Sequence, residues 1–184
     1  IEGDFFKPEE WKPEYPNPAF DRMLPEDAFW AARIIRKFSD EAVRALVETG
    51  RYPDVAREYL VQTLIKRRDK IVRRYLPAVI PIDEFRIDRD TEGNFRLHFE
   101  DLAVEAGISQ ASPFRYTWHR FDNWTSRWTP LAIKGEVNDG VISIPSDPAE
   151  YLVVQIDRLA SGQVGRIYLR RGGNSWEIVG VERD

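Results

Sequence analysis

Up to Tyr75 the apolar positions of this chain recur at helical spacing, and from Phe85 onward they alternate as in strands. The pattern changes across Pro77–Pro81, where two prolines end any helix. The periodicity predicts a first helix from Pro25 to about Phe38, with Trp30, Ala31, Ile34, Ile35 and Phe38 on one face. Pro25 suits the first helical position, and Glu26 and Asp27 sit where the helix dipole favours anions. Ser39 is placed to cap a second helix, Asp40 to about Thr49. A third should run from Pro53 to Tyr75, its apolar face made of Leu60, Leu64, Ile71 and Tyr75 and flanked by Val61 and Val72.

Beyond the prolines the period is two. Phe85–Ile87 and Phe95–Phe99 flank a polar turn at Asp90–Asn94, and Phe114–Trp118 is a further strand. Leu131–Ile133 and Val141–Ile144 surround Asn138-Asp139-Gly140, a hairpin signal. Tyr151–Leu159 is the longest strand candidate, and Arg166–Arg170 and Trp176–Val181 flank Gly172-Gly173-Asn174. About seven short strands at this spacing read as an antiparallel β-sandwich. Ahead of the helices, residues 1–24 hold four prolines among Phe5, Phe6, Trp11, Tyr15 and Phe20. That composition predicts an extended arm lying on the folded body and burying Trp11, because free tails are poor in aromatics.

The expected architecture is therefore α+β: an arm over 1–24, a three-helix segment over 25–77 and a β-sandwich over 82–184. Three helices of about 45 residues make a thin core alone, so the helices are expected to pack on the sandwich as one unit.

Charge changes this picture little. The 184 residues carry a formal net charge of −4. Residues 1–77 hold 15 basic and 14 acidic side chains and residues 78–184 hold 12 and 17, which puts the −5 excess on the strand half. A nucleic-acid-binding domain is usually basic, so no nucleic-acid partner is expected. There is no cysteine, which removes disulfides, thiol catalysis and cysteine-ligated zinc. No run of about 18 apolar residues occurs, so no membrane-spanning helix is expected. The chain begins at Ile1 rather than Met, as a piece of a longer polypeptide would.

Candidate chemistry concentrates in Phe114–Trp128, where six aromatics fall within 15 residues. Phe114, Tyr116 and Trp118 share a strand face and should be core. Trp124 and Trp128, in a loop or crossover beyond Asp122-Asn123, form with His119 and Arg127 the candidate ligand-binding set, since rings and polar groups together suit sugars or the apolar anchors of a partner. Asn123-Trp124-Thr125 matches the N-glycosylation sequon. Asp88–Gly93 has the spacing of a calcium loop, but Glu92 and Phe99 stand where ligands should be, so it reads as a hairpin turn. Lys66, Arg67, Lys70, Arg73 and Arg74 make a basic stripe that reads as a solvated face. Arg68 falls within the apolar face of its helix, where an unpaired charge is expensive. It is expected to be a buried structural charge pairing with a carboxylate or backbone carbonyls, as a pin between helices and sandwich. Two histidines without cysteine make no typical zinc site, and no triad order, nucleophile elbow or phosphate loop is present. No catalytic residue, metal or cofactor is therefore expected.

The string Pro148-Ala149-Glu150-Tyr151-Leu152-Val153-Val154-Gln155-Ile156 resembles the penultimate strand of fibronectin type III and immunoglobulin-like sandwiches. The resemblance covers about 100 residues and implies a tyrosine that pins the preceding loop. Trp11–Phe20, Asp27–Ala32 and Arg67–Ile71 resemble segments near the C-terminus of larger bacterial proteins of unknown activity. Together these imply a non-catalytic interaction or structural module of a larger bacterial protein, its partner another protein or upstream domains of the same polypeptide. An exported or cell-envelope setting suits such a module. The alternative is carbohydrate or small-ligand binding through the Trp-rich segment 114–128.

Overall fold

A computed structural model describes residues 3–184 and has an α+β fold. The chain divides into two compact units, one ending at Ala78 and one running Val79–Asp184, so the division falls within the stretch where the residue pattern changes.

In the helical unit, a 3₁₀ turn at Pro8–Glu10 precedes α1 (Pro18–Asp21), α2 (Pro25–Ile35), α3 (Asp40–Glu48) and α4 (Asp54–Tyr75). The starts follow local chemistry: the Asp27 carboxylate accepts the Leu24 amide at 2.9 Å, and Ser39 Oγ accepts the Ala42 amide. The buried faces differ from those that spacing suggests. On α2 it is Ala28, Phe29 and Ala32 that are buried, while Trp30 is 58% exposed and Ile34 and Phe38 also face water. α2 lies against α4 and the turn at Leu76–Ala78, and two alanines permit the close approach that a tryptophan would block. On α4 the buried stripe runs through Val61, Val72 and the following Leu76, with Leu64 exposed. Apolar residues come there in adjacent pairs (Leu60/Val61, Leu64/Ile65, Ile71/Val72, Tyr75/Leu76), so two faces about 100° apart are equally apolar by spacing and packing against α2 and α3 selects one. The arm does not bury Trp11, which is half exposed and meets Phe20 edge-to-face at 5.3 Å; Phe5 and Tyr15 also stand in water.

The second unit holds eight strands: β1 (Ile82–Arg89), β2 (Phe95–Asp101), β3 (Phe114–Asp122), β4 (Arg127–Val137), β5 (Val141–Ser143), β6 (Tyr151–Arg158), β7 (Val164–Gly172) and β8 (Ser175–Arg183). A short helix, α5 (Leu102–Glu105), follows β2. The strands form two antiparallel sheets, ordered β1-β2-β5 and β4-β3-β6-β7-β8. Period-two alternation on both sheets supplies one core: Leu97, Phe99 and Ile142 from the first, and Phe114, Trp118, Leu152, Val154, Ile156, Ile167 and Leu169 from the second. Each such side chain taken from water contributes about 1.5–3 kcal/mol.

Asn138-Asp139-Gly140 does not close a hairpin. It joins β4 of one sheet to β5 of the other, where β5 pairs with β2. Gly140 has φ +68, and a Cβ there would fall 2.2 Å from the Phe99 carbonyl oxygen, so the crossing needs glycine. The Gly140 carbonyl accepts the Phe99 amide at 2.9 Å.

Asp101 and Asp147, each with a side chain 9% exposed, tie loops of this unit to its strands. Asp101 caps α5 by accepting the Ala103 and Val104 amides and pairs at 2.8 Å with Arg158, which also donates to Ser109 Oγ. Asp147 accepts three bonds from Arg120 at 2.8–3.0 Å and one from the Ala149 amide. It is Asp147, rather than Tyr151, that holds the loop before β6; Tyr151 turns its ring toward Phe121.

Candidate functional site

Register decides which side chains leave the core. On β6, Leu152, Val154 and Ile156 point inward, so Tyr151, Val153 and Gln155 occupy the opposite face of the five-stranded sheet. Val153 is paired with His119 of β3 on one side and Tyr168 of β7 on the other. Phe121 pairs with Trp128 of β4. The rings meet: His119–Trp128 at 5.4 Å, Trp128–Tyr168 at 6.1 Å, Phe121–Tyr168 at 5.1 Å and Phe121–Tyr151 at 6.4 Å between centroids. Trp128 thus reaches from β4 across to the ring on β7. Under these rings Val153 is 0% exposed, although it points away from the core. The five ring residues are each partly exposed.

Polar groups border the patch. The Arg166 guanidinium lies 5.7 Å from the Trp128 ring centroid and pairs with Asp184 at 2.5 Å and Glu182 at 3.8 Å. Tyr168 Oη donates to Glu182 at 3.0 Å. Burial, and then that carboxylate, push the Tyr168 phenol up to about 12, which keeps it a neutral donor. Burial lowers the His119 imidazole below its ordinary value, opposed in part by a hydrogen bond that the ring donates to the Thr117 backbone. The face is therefore an aromatic platform with a neutral imidazole, a phenol and one guanidinium, suited to binding and lacking an activated nucleophile.

Trp124 and Arg127 stand elsewhere. The segment expected to be a loop is a tight β3–β4 hairpin, and Trp128 is a strand residue. Asp122 accepts the Trp124 and Thr125 amides at 2.9 and 3.1 Å, and these bonds hold its carboxyl below the usual range. Ser126 completes the turn at φ +54. The tip so formed presents Trp124 95% exposed, with Arg127 exposed beside it. His119 and Trp128 are thus brought together, while Trp124 and Arg127 project from the hairpin end. Sequence reading missed Tyr151, Tyr168 and Arg166, whose signal is the outward alternation Tyr151/Val153/Gln155 and Arg166/Tyr168/Arg170 on strands remote from the Trp-rich segment.

A cleft of about 230 Å³ lies at the β1–β2 and β7–β8 turns. Asn94, Phe95, Pro145, Arg171 and Trp176 line it, with Arg171 stacked on Trp176 at 4.8 Å. The Asp88–Gly93 segment is a turn in which Asp90 accepts the Glu92 and Asn94 amides. Among the described residues, no group of three or more His, Asp or Glu side chains could hold a metal ion, and no helix is long and apolar enough to cross a membrane.

Arg68 lies within the buried stripe of α4, its side chain 15% exposed. It meets Asp40 at 2.7 Å and Asp69 at 2.7 and 2.9 Å, and donates to the Phe38 carbonyl at 2.6 Å, all within the helical unit.

No protein-family model, no curated protein and no solved structure matches the chain.

Proposed function

We propose that this protein is a non-catalytic interaction module, a fibronectin type III- or immunoglobulin-like sandwich carried by a larger bacterial protein. The observation that carries this reading is the ring patch His119, Phe121, Trp128, Tyr151 and Tyr168, partly open to water on the face away from the core. Contiguous aromatic surface with a polar border is characteristic of interaction sites, and its rigid rings lose little conformational freedom on binding. The strand order supports the likeness. β1-β2-β5 opposite β4-β3-β6-β7 follows the partition of such sandwiches, with strands A, B and E in one sheet and C, F and G, bordered by C′, in the other. β8 is an addition beside the last of these.

A peptide-display selection on the wild-type protein, counter-selected on Trp128→Ala/Tyr168→Ala, tests it. A consensus that binds the wild type and loses at least tenfold on the variant is expected. Failure of any consensus to survive counter-selection would overturn the reading.

One observation favours carbohydrate instead: the Trp124 indole, 95% exposed on a rigid tip beside Asn123 and Arg127, is open for stacking on a sugar ring. On a glycan array this reading expects retention that Trp124→Ala abolishes.

A further inference from the structure

The basic stripe of α4 is not bare. Segment Gly3–Phe6 lies on it, and four features of that segment are each met by a separate group. Gly3 lies where a Cβ would come within 3.0 Å of Lys66 Cβ and 3.2 Å of the Thr63 carbonyl oxygen, a tight fit that a larger residue would crowd. Both carboxylate oxygens of Asp4 meet Lys66 Nζ, at 2.8 and 3.0 Å. Lys70 Nζ donates to two main-chain carbonyls, Asp4 at 2.5 Å and Phe6 at 3.1 Å. The Arg67 guanidinium covers the Phe6 ring at 4.6 Å. The Lys66 bond and charge hold the Asp4 carboxyl below its ordinary value.

We propose that Lys66, Arg67 and Lys70 form a docking site for short acidic peptides of the pattern glycine, carboxylate, any residue, aromatic, and that this chain's own Gly3–Phe6 occupies it in cis. Charge complementarity and the reading of two backbone carbonyls define the occupant: a peptide in a turn, with a carboxylate two positions before a ring. Helix positions i and i+4 place both lysines on one face, and position i+1 sets the guanidinium at its edge. The site lies in the helical unit and is separate from the aromatic face of the second unit. The cis segment is displaceable, because Asp4 and Lys66 remain 70% and 48% exposed and a surface ion pair and a cation–π contact are individually weak. Tethering raises the local concentration of the arm to the order of millimolar, so a free peptide with a Kd of about 0.1 mM would bind the native chain about tenfold more weakly than an arm-released one.

The experiment uses a fluorescein-labelled peptide of Gly3–Lys12 and the full-length chain, read by fluorescence polarisation. The arm-released variant Asp4→Lys/Phe6→Ala should bind about tenfold more tightly than wild type, and adding Lys66→Glu/Arg67→Ala should remove binding. Peptides carrying Asp4→Asn or Phe6→Ala should lose affinity at least fivefold. Raising the salt from low to high should weaken binding. Circular dichroism checks that each variant keeps its helices, and Asp4→Asn alone serves if the double variant does not fold. Absence of saturable binding to the arm-released chain, or binding indifferent to Lys66→Glu/Arg67→Ala, overturns the proposal. Either result leaves the outcome of the peptide selection on the sheet face unaffected.

Discussion

His119 shows how one side chain takes its properties from neighbours that its own segment does not reveal. Its sequence context is a strand end rich in aromatics. Its pKa is set by burial beside Val153 and Trp128. Burial disfavours the imidazolium, so the folded-state value lies below the ordinary 6.5. As pH falls, the unfolded chain takes up the proton first. The contribution to stability is therefore present above about pH 6.5 and is lost as pH drops through the folded value. The ring Cε1 proton should titrate in NMR with a midpoint below 6.5, and the urea midpoint should decline less from pH 8 to pH 5 in His119→Gln than in wild type. A titration midpoint at or above the ordinary value would sink this account.

Arg68 and Arg158 make a related contrast. Arg68 interrupts an apolar helical stripe in the sequence, and its side chain meets Asp40, Asp69 and the Phe38 carbonyl within the helical unit. Arg158 was not legible as a buried charge, because an arginine at a strand end reads as a solvent-facing terminus. It is nevertheless the most enclosed charged residue of the second unit together with Asp83, at 5% exposure, and it is matched to a carboxylate 57 positions away. Removing one partner of such a pair leaves a buried charge without compensation, a loss of about 3–5 kcal/mol in general.

For elements, the dominant lesson comes from the link between β4 and β5. Asn138-Asp139-Gly140 carries the chemistry of a reversal, and the chain does reverse there. Turn chemistry specifies φ and ψ locally; it does not specify which strand the next segment will join. Here β3 holds the pairing edge of β4, and β5 pairs with β2 on the other sheet. Gly140→Ala therefore adds strain at a positive φ and drives a methyl into the Phe99 carbonyl, disturbing the bond that anchors the crossing. The expected loss is about 2 kcal/mol, within the usual range for such strain, read as a lowered urea midpoint at unchanged slope. Gly93→Ala, at φ +86 but with nothing near its Cβ, should lose less, and equal losses would refute the steric part of the argument. The α2 and α4 faces follow the same logic: adjacent apolar pairs leave two orientations open, and alanines at Ala28 and Ala32 decide which side comes close.

At the level of the whole molecule, the fourteen residues of the main core all belong to Val79–Asp184. That segment should fold alone. Expressed as residues 79–184, it is expected to unfold cooperatively in urea and to keep the near-ultraviolet signal of its buried Trp118 and Trp176. A broad, non-cooperative transition would show that the core is insufficient without the helices. The helical unit buries less: Trp30, Phe38, Leu46, Val55 and Tyr59 all remain exposed on it.

The sequence by itself determined the three longer helices, most of the strands, the position of the change between them and the inward placing of Phe114, Tyr116 and Trp118. These follow from periodicity, proline and capping groups, which act over a few neighbouring positions. Only the tertiary structure decided which face of α2 and α4 is buried, that the Asn-Asp-Gly turn crosses between sheets, that Asp147 rather than Tyr151 holds the loop before β6, and that Tyr151 and Tyr168 join His119, Phe121 and Trp128 in one patch. Each of those depends on the register of segments tens of residues apart. The physical reason is that a side chain's neighbours across a sheet are set by hydrogen-bonded pairing and core packing, and local pattern leaves several such pairings equally open.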